Sequence, residues 1–255
     1  MGVIYQPHFI FTPSKQRKSR YSRTPRLPDS QTMKIPGQIS DYVLHKDNQV
    51  IALNKPAGLA VQPDKTKDAD LLSLASAYIR HDLYLIHRLD RPVSGVLLMG
   101  QKPGAQTALT EQFKAGKVEK TYLAVVGVRP KKDEATLVHF IESARGNRSL
   151  VHDTEQPGAK RAELSYRYLA SSDRYHLLEV NLKTGRKHQI RAQLAAIGSP
   201  VRGDKKYGFK RSNAGGAVDL HSYRIAYDHP VTGARVSHEA PLPDSPVWGA
   251  FAGVV

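Results

Sequence analysis

The chain has 255 residues, enough for a substantial core in one large domain or two small ones, with 40% hydrophobic and 24% charged content, as in ordinary soluble proteins. It holds no cysteine, which excludes disulfides and thiolate metal centres, and no apolar run approaches the roughly 20 residues of a membrane helix. A formal charge of +15 favours a polyanionic partner, most simply nucleic acid, over an anionic membrane, for which no basic amphipathic helix stands out. The N-terminus lacks the apolar core of a signal peptide, so the expected setting is the cytoplasm.

Residues 1–40 read as a basic extension without stable structure. They carry seven basic residues against one acid, and residues 14–29 are rich in Ser and Pro and nearly free of aliphatics. Such a segment cannot bury enough apolar surface to offset its ordering entropy. It is either an RNA-contacting arm or a dispensable extension ahead of a start at Met33.

From residue 42 the pattern becomes compact. Residues 42–44 and 50–53 predict a hairpin over Asp47-Asn48. Asn54-Lys55-Pro56-Ala57-Gly58 is a second turn, and Asp70 is placed to cap a helix reaching about Arg80, with Leu71, Leu74, Ala75 and Tyr78 on one face. Two apolar runs, 84–86 and 96–99, predict short buried strands around a turn broken by Pro92, Ser94 and Gly95. A helix is expected from about 105 to 115, ending at Gly116. Residues 120–126 are a β-branched strand candidate, and 129–160 hold weaker strands and a polar loop at 155–158. Alternation returns over 162–169 and 175–182. A helix is expected from near Lys187 to before Gly198, then a late hairpin from 220–227 and 235–240. Strands outnumber helices and few βαβ units appear. The fold class expected is α+β with a mixed or mainly antiparallel sheet, as one folded unit over 41–255.

Three segments hold the side chains most suited to chemistry. The first is the turn His87-Arg88-Leu89-Asp90-Arg91-Pro92-Val93-Ser94-Gly95, where one carboxylate, Asp90, lies between two arginines; a solvated ion pair on a surface turn is the plain alternative. The second is the strand with Tyr122, which could equally be a core tyrosine. The third is Lys183-Thr184-Gly185-Arg186-Lys187-His188-Gln189-Ile190-Arg191, where His188 and Arg191 are neighbours at helical spacing and a helix N-terminus suits an anion. Other chemistries are absent. Gly116-Lys117 is followed by Val118, which is no P-loop; no His pair at helical spacing comes with a Glu, so zinc is not expected; Val93-Ser94-Gly95 is no nucleophile elbow; and no dinucleotide fingerprint follows a strand.

The set of motifs resembles the RluA-type RNA pseudouridine synthases. His87-Arg88-Leu89-Asp90 with Ser94-Gly95 matches the family signature. Asn54-Lys55-Pro56-Ala57-Gly58, Lys120-Thr121-Tyr122, Thr184-Gly185-Arg186-Lys187-His188-Gln189-Ile190-Arg191, Gly203-Asp204 with Tyr207-Gly208, and Leu220-His221 with His229-Pro230-Val231-Thr232-Gly233 continue it in order. The likeness covers roughly residues 42–243. Val93 stands where the family most often has Thr, and the small S4-type RNA-binding domain of many members has no counterpart in residues 1–40.

The resemblance implies a pseudouridine synthase catalytic domain over 41–255, with helices flanking a central sheet and an RNA-binding cleft. It implies an isomerase that detaches uracil from C1′ of a uridine, turns it and rejoins it through C5, with no cofactor and no metal. Asp90 becomes the catalytic carboxylate, acting at C1′, at C6 or on the C2′ proton, with Arg191 favouring its ionised form. Tyr122 stacks on the uracil and helps remove the C5 proton. Arg88 faces the opened RNA once the base is flipped. Arg91, Arg186, Lys187, His188 and Lys205 become RNA contacts, with Lys102, Arg202 and Lys206 as further phosphate candidates. The expected partner is an rRNA or tRNA stem-loop, with no membrane, and the expected state a monomer. The rival readings are an inactive RNA-binding or assembly factor of the same fold, and an N-glycosidase or nuclease using Asp90.

Overall fold

The computed structural model describes residues 37–255. The basic stretch read as an arm or extension therefore lies outside the described residues, apart from its last four. Those join the fold: a 3-10 turn over Ile39–Tyr42 is closed by the Gln38 N–H donating to Asp41 Oδ2 at 2.9 Å, and Ile39 packs on the main core.

The strands are β1 (Val43–Lys46), β2 (Val50–Lys55), β3 (Tyr84–Leu85), β4 (Ser94–Gly100), β5 (Glu119–Val126), β6 (Glu134–Ala144), β7 (Arg148–His152), β8 (Lys160–Ser171), β9 (His176–Leu182), β10 (Leu220–Asp228) and β11 (Arg235–Glu239). They form one sheet in the order β1-β2-β4-β10-β5-β9-β8-β6-β7, with β3 added to β4 and β11 to β10. Every pairing is antiparallel except the short contact of β4 with β10, where Ser94 faces His221 and Gly95 faces Ser222. A parallel pair needs a long crossover, and here β5 to β9 supply it. The α+β architecture with a mainly antiparallel mixed sheet is the one expected.

Four helices accompany the sheet: α1 (Leu71–Ile79), α2 (Pro103–Lys114), α3 (Gln189–Ala196) and the single turn α4 (Pro246–Gly249). Asp70 caps α1 by accepting from the Ser73 N–H at 3.0 Å, and Arg80 ends it in the left-handed region at φ 67°. Helix α2 starts two residues earlier than expected, because Pro103 is pre-set for the first helical position.

The all-apolar reading of β4 has a simple cause: it is buried on both faces. Val96 and Leu98 pack with Val50, Ala52 and Leu109 of α2, whereas Leu97 and Met99 pack with Ile51, Leu53 and Leu71 of α1. Each such side chain contributes about 1.5–3 kcal/mol of burial. The α1 face also carries α3 through Ile190 and Leu194, and the Asp90 turn through Leu89 and Val93. The strands at 129–160 are stronger than their sequence suggests. The alternation in β6 leaves its outward positions in water, so it lacks a continuous apolar run.

The start of β4 is where the chain is most tightly specified. Gly95 lies at φ +110°, and a Cβ there would sit 2.2 Å from the Ser222 carbonyl oxygen of β10. Only glycine permits that approach. Beside it, the buried Ser94 hydroxyl is 2.8 Å from His221 Nδ1.

Candidate active site

The turn bearing Asp90 is fixed from below. Lys55, at the end of β2, is fully buried, and its ammonium donates to the carbonyls of Pro56 (2.9 Å), Leu59 (2.8 Å) and Arg91 (3.1 Å). Burial pulls its pKa down to about 7, against the opposing charge of Asp90. The Val93 N–H closes the turn on the Asp90 carbonyl at 3.0 Å, and the Val218 N–H reaches the Pro92 carbonyl at 3.1 Å.

Arg191 arrives from α3, 101 residues away in sequence, and its Nη1 donates to Asp90 Oδ2 at 3.0 Å. The rest of its guanidinium belongs to Asp204, which is 1% exposed: Nε donates to Oδ2 at 2.6 Å and Nη2 to Oδ1 at 2.9 Å. The guanidinium also stacks 5.2 Å above the Tyr207 ring. Burial alone would lower the Arg191 pKa, but Asp204 and Asp90 outweigh it and hold it above its ordinary value. One cation thus serves two carboxylates, Asp90 through one nitrogen and Asp204 through two.

His188 completes the enclosure. It was expected on the RNA-facing surface at the start of a helix. Instead it is buried, in the left-handed region at φ 52°, and delays the helix to Gln189. Its Nε2 lies 3.7 Å from Asp90 Oδ2, and its Nδ1 lies 2.8 Å from the Tyr207 hydroxyl. Burial holds its pKa down to about 4, with Arg191, Lys206 and Lys187 adding to the effect and Asp90 opposing it. The imidazole is therefore neutral at physiological pH.

Tyr122 stands on β5 directly opposite Ser222, next to Gly95, and is 7% exposed. Burial and, more weakly, the charge of Asp90 push its pKa up to about 12, with the Ser222 hydroxyl working against them. At neutral pH it is a phenol that donates a proton, not a phenolate ready to accept one.

The remaining cations separate into two groups. Arg88, Lys187 and Lys205 are exposed, and their side chains make no hydrogen bond or ion pair among the described residues; the Arg186 side chain is exposed too, tied only through Nε to the Arg161 carbonyl at 3.0 Å. Arg186 and Lys187 line an open groove of about 430 Å³ with Lys160, Gly158, Gly185 and the edge of β6. Lys102 is exposed at the head of α2, and Lys206 donates to the Asn147 carbonyl at 3.1 Å.

Arg91, expected as an RNA contact, is engaged within the protein. Its Nε donates to the Gly58 carbonyl at 2.8 Å, Nη1 reaches Thr66 at 3.1 Å and Asp64 at 3.3 Å, and Nη2 pairs with Asp68. Two carboxylates already absorb its charge, so it ties the 58–68 loop to the Asp90 turn. Arg202 is likewise committed, to Asp219 and to the Tyr175 ring at 4.9 Å.

Of the residues expected from sequence, Arg191 meets Asp90 directly, and Tyr122 packs in the same core as Leu89 and Val93 of the Asp90 turn. Sequence reasoning gave no role to Lys55, Asp204 or Tyr207, although all three fall inside matched motifs. Ser149, whose N–H donates to the Tyr207 hydroxyl at 2.8 Å, had no signal at all.

The chain is similar to a ribosomal large subunit pseudouridine synthase C from Rickettsia bellii, at 35% identity over 209 residues, covering 80% of this chain and 69% of the relative. It is similar to a tRNA pseudouridine synthase C from Salmonella typhimurium at 33% identity, covering 80% of this chain and 86% of the relative. Among solved structures, the human RNA pseudouridylate synthase domain containing 4 superposes with a TM-score of 0.67 at 23% identity, over 84% of this chain and 92% of its own, which supports the shared fold. Residues 49–196 match the family model for RNA pseudouridylate synthase, and with these relatives the match establishes that the chain belongs to the RNA pseudouridine synthase family, whose members are isomerases.

Proposed function

We propose that the protein isomerises specific uridines to pseudouridine in structured RNA, an rRNA or tRNA stem-loop, with Asp90 as the reacting group. The observation that carries this reading is the sharing of Arg191. The guanidinium orients Asp90 through one nitrogen while Asp204 takes two, so Asp90 is held in place yet keeps its negative charge. An ionised, fixed carboxylate suits the cleavage step, in which positive charge builds at C1′ as in retaining glycosidases.

The bond from N1 to C1′ breaks, a bond from C5 to C1′ forms, and the C5 proton is lost as N1 gains one. Nothing is oxidised or transferred out, so the reaction calls for no cofactor. Tyr122 offers its ring to the uracil, and its protonated hydroxyl serves as a donor during turnover rather than as the resting base. The target base is flipped out of its stack. Arg88, exposed and without a side-chain partner among the described residues, faces the space it leaves. Arg186, Lys187 and Lys205 take phosphates. The catalytic domain spans 41–255 and works as a monomer in the cytoplasm. No helix of the described residues is long and apolar enough to cross a membrane.

The test is release of tritium from RNA labelled at uridine C5. The wild-type chain releases tritium with the strand intact, while Asp90→Asn binds RNA within about threefold of wild type and turns over at least about 1,000-fold more slowly. Full activity in Asp90→Asn would sink the reading. Tight binding without release by the wild type would indicate a binding factor, and free uracil or strand scission would indicate a glycosidase or nuclease.

A further inference from the structure

His188 is neither a surface cation nor a core residue packed for volume. It keeps a backbone conformation that costs a non-glycine residue about 1–2 kcal/mol, and the result is an imidazole edge turned toward Asp90. Its two nitrogens are differently occupied. Nδ1 meets the Tyr207 hydroxyl at 2.8 Å, and that oxygen already accepts the Ser149 N–H at 2.8 Å. Ser149 Oγ is in turn spent on the Lys187 carbonyl at 2.8 Å. Among the described residues the Tyr207 hydroxyl has His188 Nδ1 at 2.8 Å and the Ser149 side chain beside it, and we take Nδ1 as the acceptor of its O–H. Accepting there places the single imidazole proton on Nε2, which lies 3.7 Å from Asp90 Oδ2. A carboxylate beside Nε2 selects the same tautomer, since a bare nitrogen lone pair would repel it.

Arg191 and His188 both address Oδ2. Oδ1 of Asp90 has no hydrogen-bond partner among the described residues. We propose that His188 is a positioning residue whose Nε2–H, aimed by the Tyr207 hydroxyl, joins Arg191 in anchoring Asp90 Oδ2, so that Oδ1 is the oxygen presented to the uridine. The distance of 3.7 Å is longer than a hydrogen bond, and the pair closes when RNA occupies the site, as contacts in unliganded enzymes commonly do. A neutral donor matters here. A second cation would cancel the negative charge that Asp90 retains because Asp204 holds most of Arg191. The groups around the imidazole are Asp90, Arg191, Tyr207, Lys187 and Lys206; the three cations and burial keep it unprotonated.

The inference rests on the reading of Asp90 above, and its test separates the two. His188→Ala and His188→Gln carry the same left-handed backbone strain, but glutamine places an amide N–H near the position of Nε2. In the tritium assay His188→Ala should lose about 10- to 100-fold in kcat with the KM for RNA changed less than about twofold, the loss expected for one hydrogen bond to a charged group. His188→Gln should recover to within about tenfold of wild type. Tyr207→Phe keeps the ring under Arg191 but frees Nδ1 to take a proton. Its kcat at pH 8 should fall up to about tenfold, because the aim of Nε2–H is lost, and it should decline on acidification about one pH unit earlier than wild type; His188→Gln placed in the same chain should abolish that shift. Equal losses in the two His188 variants, losses that appear in KM, or an acid limb of Tyr207→Phe that coincides with wild type would each overturn the assignment. If Asp90→Asn is inactive while these variants behave as wild type, only the role of His188 fails. If Asp90→Asn is active, the underlying reading fails first.

Discussion

Arg191 gives two nitrogens to Asp204 and one to Asp90, and this unequal division governs how the reacting carboxylate is presented. A guanidinium facing Asp90 alone would pair with it in bidentate fashion and hold both of its oxygens. Asp204→Asn should bring that about, because the amide can accept at only one atom and Arg191 is then free to swing. We expect kcat in the tritium assay to fall about 10- to 100-fold with RNA affinity within about twofold. Asp204→Ala leaves more of a buried cation uncompensated and should also cost about 3 kcal/mol or more in urea unfolding. A loss confined to RNA affinity would show that Asp204 acts on binding instead.

Lys55 makes a prediction about stability and its pH dependence. Its ammonium spends all three protons on carbonyls, one of them that of Arg91 in the catalytic turn. Lys55→Met fills the same space without a donor, leaves the carbonyls of Pro56 and Leu59 with no hydrogen-bond partner among the described residues, and should cost about 2–4 kcal/mol together with most of the activity. The pH effect follows from the lowered pKa of about 7 against an ordinary value of 10.5. Between those values the unfolded chain binds more protons than the folded one, so wild-type stability should gain on Lys55→Met as pH rises from 7 to 10. A difference between the two proteins that stays flat across that range would mean that the folded chain keeps Lys55 charged and that burial does not lower its pKa.

The elements were legible because each obeys a local rule. Asp70 caps α1, and β4 is an unbroken apolar run because α1 and α2 cover both its faces. What escaped local reading was set by tertiary contact. Helix α3 starts late because His188 is held left-handed between Tyr207 and Asp90. Lys55 reads as an ordinary turn lysine until the Arg91 carbonyl is seen above it. Asp204 follows Arg191 by 13 residues, too far for helical pairing, and only the buried bidentate geometry reveals the link. Arg91 is the opposite case: acids at 64 and 68 were visible, but nothing in sequence says that their loop folds back over residue 91.

Arg88 and Arg91 flank Asp90, yet they should respond differently to removal. Arg88 is exposed and its side chain has no partner among the described residues, so Arg88→Ala should leave the melting temperature within about 1 °C while lowering kcat/KM for RNA about tenfold or more and reducing the salt dependence of binding. Arg91 is bound to Gly58, Thr66, Asp64 and Asp68, half-exposed pairs that individually contribute modestly. Arg91→Ala should cost about 1–3 kcal/mol and loosen the turn, with the salt slope of RNA binding unchanged. Salt-dependent RNA titrations beside thermal melts of both variants decide the matter. A changed salt slope in Arg91→Ala would restore it as a phosphate contact.

The buried histidines predict how the fold fails in acid. Burial lowers the pKa of His87 to about 3, with Lys120 adding to it, and lowers those of His188, His221 and His238 to about 4. His87 shows the structural reason: its Nε2 accepts the Leu98 N–H at 3.0 Å, which requires the neutral ring. In the unfolded chain each ring titrates near 6.5, so between that value and about 4 the unfolded state holds more protons. Stability is then fully present above pH 6.5 and is lost as pH falls toward 4, with a limiting slope of about 1.4 kcal/mol per pH unit for each proton taken up. Urea midpoints measured from pH 7 to 5, where the carboxylates stay ionised, should fall with a slope that corresponds to more than one proton. His87→Gln, which offers the Leu98 N–H an uncharged acceptor, should remove part of that slope. A midpoint that does not change between pH 7 and 5 would mean that these rings are not held neutral by the fold.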